Sequence, residues 1–258
     1  MKVIDILSEK YNISKRLSKK YLKSGYVSVH NNKTYENKDV TENDIAGLEL
    51  NINYIVNTSN IESKKYIIKK YEDIIFLYKP SFVHTERHRL EDLFTIEDII
   101  SAYYPRFKLI SRLDYQTDGL ISAINSTFKV NNEEKHYIAL VHGRVEKKLD
   151  INNVIVYKKR KKVMVLEHPD KNTTHVMPIK KYSESTIAKI IIKKGLRHQI
   201  RAHLAYNGYP IYGDMQYGLN DNAKRLMLSC YYVKINNFIC FSPHLKEFYT
   251  QIKELINK

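Results

Sequence analysis

"SRLDYQTDGLISAI", residues 111–124, joins an Arg-x-Asp triplet to a Thr-Asp-Gly turn and then to an apolar run. If the stretch is extended up to Asp114, the two-residue period of a strand turns Arg112 and Asp114 to one side and Leu113 to the other. A charge pair then stands on one face with an apolar anchor between its members. Taken alone, such a triplet reads as an ordinary surface ion pair of little energetic weight, so its meaning rests on the surrounding chain. The run after Gly119 is strand-like, as are 137–141, 154–157, 163–166, 187–192 and 226–241, and "IIFLY" at 74–78 reads as a buried apolar strand. Helices are few: one with an acidic start near 91–104, and one at 197–207 that ends at Gly208. Many strands with few helices between them predict an α+β class, built on a large mixed, mostly antiparallel sheet with flanking helices.

The 258 residues suffice to bury a sizeable core, and 43 basic against 28 acidic residues leave a net charge of +15. That balance favours a polyanionic partner, with nucleic acid foremost. A membrane surface would call for a basic amphipathic helix or a lipid anchor, and the expectation is a cytoplasmic or equivalently reducing location. Cys230 and Cys240 are the only cysteines. They are too few for a disulfide scaffold, lack the spacing of a zinc site, and lie in apolar runs where small buried hydrophobes are expected. Lysine is this chain's usual cation. Of its 43 basic residues only ten are Arg, so Arg112, Arg197 and Arg201 stand at positions where a planar bidentate fork is informative.

The first 55 residues read as two short helices followed by strand-turn-strand. Ser14 is placed to cap the second helix and Gly25 to stop it. On that helix Lys15, Lys19 and Lys23 recur every four residues beside Arg16 and Lys20, with no acid between 15 and 23. Leu17, Tyr21 and Leu22 can face the opposite way. Five cations on so short a helix favour phosphate binding over a merely solvated face. The stretch "ISKRLSKKYLKSGYVSVHNN", closed by "DIAGLEL", resembles the alpha-L RNA-binding domain, a module first known from a ribosomal protein. The expected layout is therefore an alpha-L-like domain at 1–57, a polar linker at 58–70 and a second domain at 71–258.

The second dense region is "KKGLRHQIRAHLAYNGYPIYGDMQYG", residues 193–218. With 197–207 helical, Leu196, Ile200 and Leu204 form a buried stripe, and Arg197 and Arg201 stack one turn apart on a neighbouring face. An arginine fixed on a helix can meet a carboxylate fixed near a strand end, and Arg201 is expected to pair with Asp114 and hold it ionised.

Together these stretches are similar to pseudouridine synthases of the RluA and RluD type. "ISRLDYQTDGL" resembles their H-R-L-D-x-x-T-S-G-L signature, and "GLRHQIRAHLAYNGYPIYGDMQYG" their G-R-T-H-Q-I-R-x-H-L-x-x-x-G-x-P-I-x-G-D-x-x-Y-G. "YEDIIFLYKPSFVHT", "EKHYIALVHGRV" and "RLMLSCYYV" match further motifs in the same order, so the resemblance spans 71–258. It implies isomerisation of uridine to pseudouridine in RNA without cofactor or metal. Asp114 would be the essential aspartate, Tyr137 the tyrosine that stacks on the target base, Arg201 the partner of Asp114, Leu228 an apolar pocket contact, and Arg112 a holder of the flipped-out nucleotide. Thr117, Gly119, His198 and Gln199, within the same motifs, are further candidates for substrate contact. Asp114 can serve either as nucleophile or as stabiliser and base while the glycosidic bond breaks.

The chain departs from the pattern at Ser111, where the family has His, at Asp118 (Ser), at Leu196 and Arg197 (Arg-Thr), and at Ser229-Cys230 (His-Ala). His84 and His88 have the i, i+4 spacing of zinc ligands but sit in a loop-like context without a third ligand, so no metal is expected. Tyr212 and Tyr217 suit either base stacking or packing. Two other readings remain: a non-catalytic RNA-binding or ribosome-assembly factor, and a glycosylase or nuclease using the same acid. An alpha-L module before this catalytic domain points to large-subunit ribosomal RNA first and transfer RNA second, with a monomer as the default.

Overall fold

A computed structural model describes residues 1–11, 13–23, 26–50, 65–87, 94–157 and 162–256. The chain divides into two compact units, Met1–Ser63 with Glu86–Phe107, and Lys64–Thr85 with Lys108–Lys258.

The first unit holds helices α1 (Val3–Lys10), α2 (Lys15–Lys23), α3 (Glu42–Ala46) and α4 (Ile96–Tyr103), with strands β1 (Val27–Val29), β2 (Asn32–Thr34) and β3 (Leu48–Leu50) paired antiparallel in the order β2-β1-β3. Val3, Leu7, Leu17, Leu22, Val27 and Leu48 form its core. The Ser14 hydroxyl accepts the Leu17 N–H at 3.2 Å, which caps α2, and Leu17, Tyr21 and Leu22 are buried on the predicted face. The basic face of α2 differs from expectation. Lys15 lies 2.6 Å from Asp5, and Arg16 lies 3.6 Å from Glu86. Acids remote in sequence thus pair with two of the five cations, and both cations stay exposed. Gly25 falls outside the described residues.

Residues 86–107, expected in the second domain, group with this unit. The buried Arg87 guanidinium donates to Asp98 at 2.7 Å, and its backbone N–H donates to Glu97 at 3.2 Å. The helix begins at Ile96, behind a Thr95–Asp98 capping box, later than the expected 91.

The second unit is built on a ten-stranded sheet in the order β4-β5-β7-β12-β8-β11-β10-β9, with β6 beside β7 and β13 beside β12. Its strands are β4 (Ile67–Lys70), β5 (Ile74–Lys79), β6 (Phe107–Leu109), β7 (Asp118–Asn125), β8 (Glu133–His142), β9 (Leu149–Val156), β10 (Met164–Lys181), β11 (Ser185–Ile192), β12 (Leu228–Ile235) and β13 (Phe238–Phe241). Only the β7–β12 pair is parallel among the registered neighbours. The expected mostly antiparallel α+β architecture is thus present. β4 occupies part of the expected linker, where Ile67 pairs with Leu77; residues 58–64 lie outside the described residues.

Ile74–Leu77 and Asp118–Ala123 are buried without interruption, as central strands covered on both faces must be. Helix α5 (Gln199–Tyr206) packs on β9 and β10, and α6 (Leu245–Ile256) buries Phe248 and Ile252 near β12. Among the described residues no helix is long and apolar enough to cross a membrane.

Candidate active site

The segment 110–117 belongs to no strand; it is a pinned loop leading into β7. Ile110 donates to the Ser122 carbonyl at 3.0 Å, and the buried Ser111 hydroxyl accepts the Ser122 N–H at 3.0 Å. The Thr85 hydroxyl accepts the Leu113 N–H at 3.2 Å and donates to the Leu113 carbonyl at 3.0 Å. A turn then closes through the Thr117 N–H on the Asp114 carbonyl at 3.0 Å. Beneath it the fully buried Lys79 ammonium donates to the carbonyls of Pro80 and Val83 at 2.8 Å and of Tyr115 at 3.4 Å. The backbone on either side of Asp114 is therefore fixed, and the side chain has a defined direction.

Arg201, on α5, meets it there. Its NH1 donates to Asp114 Oδ2 at 2.7 Å, while Nε and NH2 clamp both oxygens of Asp214 at 2.7 Å and NH2 also reaches Gln216 Oε1 at 3.1 Å. Asp214 is buried and further accepts the N–H groups of Gln216 and Tyr217, at 3.0 and 3.1 Å. Burial works against the Arg201 charge, but the hydrogen bonds and charges of Asp214 and Asp114 outweigh it, so its pKa rises above the ordinary arginine value. Burial likewise acts to raise Asp214, and the Arg201 hydrogen bond and charge hold it below the usual carboxylate range. One guanidinium thus serves two carboxylates, a bridge that needs the planar fork.

Asp214 is the functional residue that the sequence reading quoted but did not assign. Its signal was the Gly213-Asp214 pair: Gly213 has φ +73°, which turns the chain so that Asp214 faces its own downstream N–H groups.

With Oδ2 locked, Asp114 Oδ1 is the oxygen left facing His198, whose Nε2 stands 3.7 Å away. The other ring nitrogen is also engaged: Nδ1 lies 2.9 Å from the Tyr217 hydroxyl, which accepts the Val163 N–H at 2.8 Å. Burial lowers the His198 pKa, against the opposing charge of Asp114.

The other expected residues divide. Tyr137 and Leu228 lie buried on the adjacent strands β8 and β12, at the registered pairs Tyr137–Cys230 and Ala139–Leu228. Burial pushes the Tyr137 phenol well above its ordinary value and the Cys230 thiol to about 12. Both are therefore neutral near pH 7. Thr117 is buried behind the Asp114 turn, and Gly119, with φ +122°, lets β7 approach the Cys230 backbone. Arg112 is exposed beside Asp114.

Gln199 points away from the carboxylate: its Oε1 accepts the Leu196 N–H at 2.9 Å and its Nε2 donates to Thr174 Oγ1 at 3.0 Å, tying the helix start to β10. Arg197 does not stack on Arg201. It precedes the helix, because His198 adopts a left-handed conformation (φ 54°) that starts α5 at Gln199.

The departure at Asp118 places a second acid nearby, but it is compensated: Tyr78 donates to Oδ2 at 2.9 Å and Arg225 NH1 lies 3.2 Å from Oδ1. His84 stacks on Tyr115 with ring centroids 4.5 Å apart, and His88 is outside the described residues.

Comparison with known proteins bears on the family and the fold. The sequence profile of the RNA pseudouridylate synthase family matches residues 73–206. An RNA pseudouridine synthase of Helicobacter pylori strain J99 is 29% identical over 260 residues, covering 96% of this chain and 98% of its own. Ribosomal large subunit pseudouridine synthase C of Buchnera aphidicola subsp. Acyrthosiphon pisum is 37% identical over 128 residues, 44% of this chain and 41% of its own. Among solved structures, human RNA pseudouridylate synthase domain containing 1 shares the fold at a TM-score of 0.57 and 20% identity, over 72% of this chain and 86% of that one. The family profile covers more than half of the chain, and the residues it spans carry the Asp114–Arg201 pair, so this chain belongs to the RNA pseudouridylate synthase family.

Proposed function

We propose that this protein converts specific uridines of large-subunit ribosomal RNA to pseudouridine, using Asp114 and no cofactor. The observation that carries the reading is Arg201 Nη1 at 2.7 Å from Asp114 Oδ2, which leaves the second oxygen of a partly exposed carboxylate 3.7 Å from His198 Nε2. The base is flipped from the RNA into the site, because its reacting atoms are inaccessible while stacked. The bond from ribose to nitrogen 1 breaks, a bond from ribose to carbon 5 forms, the carbon 5 proton is lost to solvent and nitrogen 1 takes up a proton from solvent, so the composition of the nucleotide is unchanged.

Arg201 holds Asp114 in place through the 2.7 Å hydrogen bond to Oδ2. The carboxylate acts as nucleophile or as stabiliser and base. Tyr137 covers the base, Leu228 bounds the pocket, and Arg112 holds the displaced nucleotide. Ribosomal RNA is favoured by the ribosomal large subunit synthases among the relatives and by the alpha-L resemblance of residues 1–57, with Lys15, Arg16, Lys19, Lys20 and Lys23 as phosphate contacts; transfer RNA is the second substrate class. The protein acts as a monomer in a reducing compartment, where its two buried thiols stay free.

The residues that depart from the family pattern support catalysis over a binding-only factor. Ser111 is consumed by the Ser122 N–H and Asp118 by Arg225 and Tyr78, so neither removes the Asp114–Arg201 pair. The test is tritium release from carbon-5-labelled uridine in total ribosomal and transfer RNA, with wild-type protein and Asp114→Ala. Release from ribosomal RNA that vanishes in the variant is expected. No release from either RNA, with salt-sensitive binding by both proteins, would establish the binding factor instead.

A further inference from the structure

Two large aromatic side chains stand exposed beside the catalytic loop, and the core uses neither. Phe82 is 47% exposed and Tyr115, the residue after Asp114, is 45% exposed. Their rings meet edge to face with centroids 5.7 Å apart, and the half-buried His84 stacks on the Tyr115 ring at 4.5 Å and 30°, which backs one face of it.

The backbone beneath them is built to hold this arrangement. Phe82 has φ +62°, a left-handed conformation that a bulky side chain rarely adopts and that glycine or asparagine would take with less strain. Its N–H donates to the Tyr115 carbonyl at 2.7 Å, and that same carbonyl is gathered with those of Pro80 and Val83 by the Lys79 ammonium. A strained aromatic and an exposed aromatic are thus pinned to one node, the Tyr115 carbonyl, in the residue that follows Asp114. Gln116 continues the rim: its Nε2 lies 3.7 Å from the sulfur of Met215, which is 87% exposed. Strain maintained to present an apolar ring to water points to a ligand with a flat face.

We propose that Tyr115 and Phe82 form a stacking subsite for an unpaired nucleobase flanking the uridine that Asp114 receives. The proposal rests on the reading of Asp114 as the reacting carboxylate. Flipping a uridine out of a strand leaves its neighbour without a stacking partner, and an aromatic face one residue from the carboxylate can replace it. Stacking is indifferent to base identity, so the subsite recognises single-strandedness near the target and not a sequence. The exposed Arg112, two residues before Asp114, lies on the same loop, and the net charge of +15 brings the phosphates to it.

The chain contains no tryptophan, so Tyr115→Trp supplies a single emitter at the subsite. The probes are dodecauridylate and the same strand annealed to dodecaadenylate, with binding followed independently by anisotropy of labelled RNA. Quenching by the single strand, weak with the duplex and reduced by Phe82→Ala, is expected. Tyr115→Ala should raise KM for the RNA that releases tritium by about 5- to 100-fold, as the loss of one stacked base implies, and more than it lowers kcat. Tyr115→Leu keeps apolar bulk without a flat face and should behave as the alanine variant. Unchanged emission at saturation, equal quenching by duplex, or wild-type KM in either variant overturns the subsite. Stacking without tritium release from any RNA overturns the catalytic reading and leaves the subsite standing.

Discussion

At the scale of single residues, the site depends on what arginine can do and lysine cannot. Arg201 spends Nε and NH2 on Asp214 and NH1 on Asp114, so the orientation that grips one acid fixes the donor for the other. A lysine offers one point charge and cannot hold both in register. Arg201→Lys is expected to reduce tritium release about 100-fold through misplacement of Asp114, and to destabilise the fold by about 2 kcal/mol because Asp214 is buried and loses part of its charge-assisted hydrogen bonding. Assays of turnover and urea midpoints on one preparation separate the two effects; undiminished turnover would show that Asp114 does not need the fork. The sequence made Asp114 and Arg201 legible because both carry chemistry in dense motifs. It concealed the second partner of Arg201, Asp214, since nothing local distinguishes an aspartate that orients an arginine from one that ends a turn.

At the scale of elements, the close approach of β7 to β12 decides where the Asp114 loop ends. The parallel pair sets Gly119 opposite Cys230, and a Cβ at Gly119 would overlap the Cys230 backbone while sitting at φ +122°. Gly119→Ala is expected to cost about 3 kcal/mol from backbone strain and overlap together, read as a lowered urea midpoint at unchanged slope. A variant of wild-type stability would mean that the two strands can separate without loss. The same scale shows where pattern reading stopped short. β10 runs to Lys181, far beyond the expected 163–166, although Pro169 and Pro178 lack the N–H that a ladder needs. The register shifts beside both prolines, so irregularities absorb them and the strand continues. The start of α5 was misplaced for a comparable reason: His198 looks helical by spacing, and its left-handed backbone becomes evident only in the folded chain.

At the scale of the whole molecule, Lys79 couples global stability to pH. Burial pushes its ammonium down to about 7, against the attraction of Asp118 and Asp114. In the unfolded chain the group titrates at the ordinary lysine value, so between pH 7 and that value the unfolded state holds the extra proton. Stability contributed by this group therefore rises with pH across that window and is lost as pH falls through about 7, with a limiting slope of about 1.4 kcal/mol per pH unit. Chemical denaturation of wild type and Lys79→Met at pH 7 and 9 is expected to show a larger gain for the wild type. Parallel pH dependence in the two proteins would show that Lys79 keeps its proton in the fold.

The sequence by itself determined the α+β class, the family resemblance, the charged face of α2, and the two residues that meet at the centre of the site. These are properties of period, composition and motif, which act over a few residues and survive without the rest of the chain. Only the tertiary structure decided that Asp5 and Glu86 reach Lys15 and Arg16, that residues 86–107 join the first unit, that Gln199 turns to β10, and that Asp214 shares Arg201 with Asp114 while Tyr217 meets His198. Each of these rests on a hydrogen bond or packing contact in which burial makes an unpaired polar group costly, and the partner that satisfies it is chosen by proximity in space and not by separation along the chain.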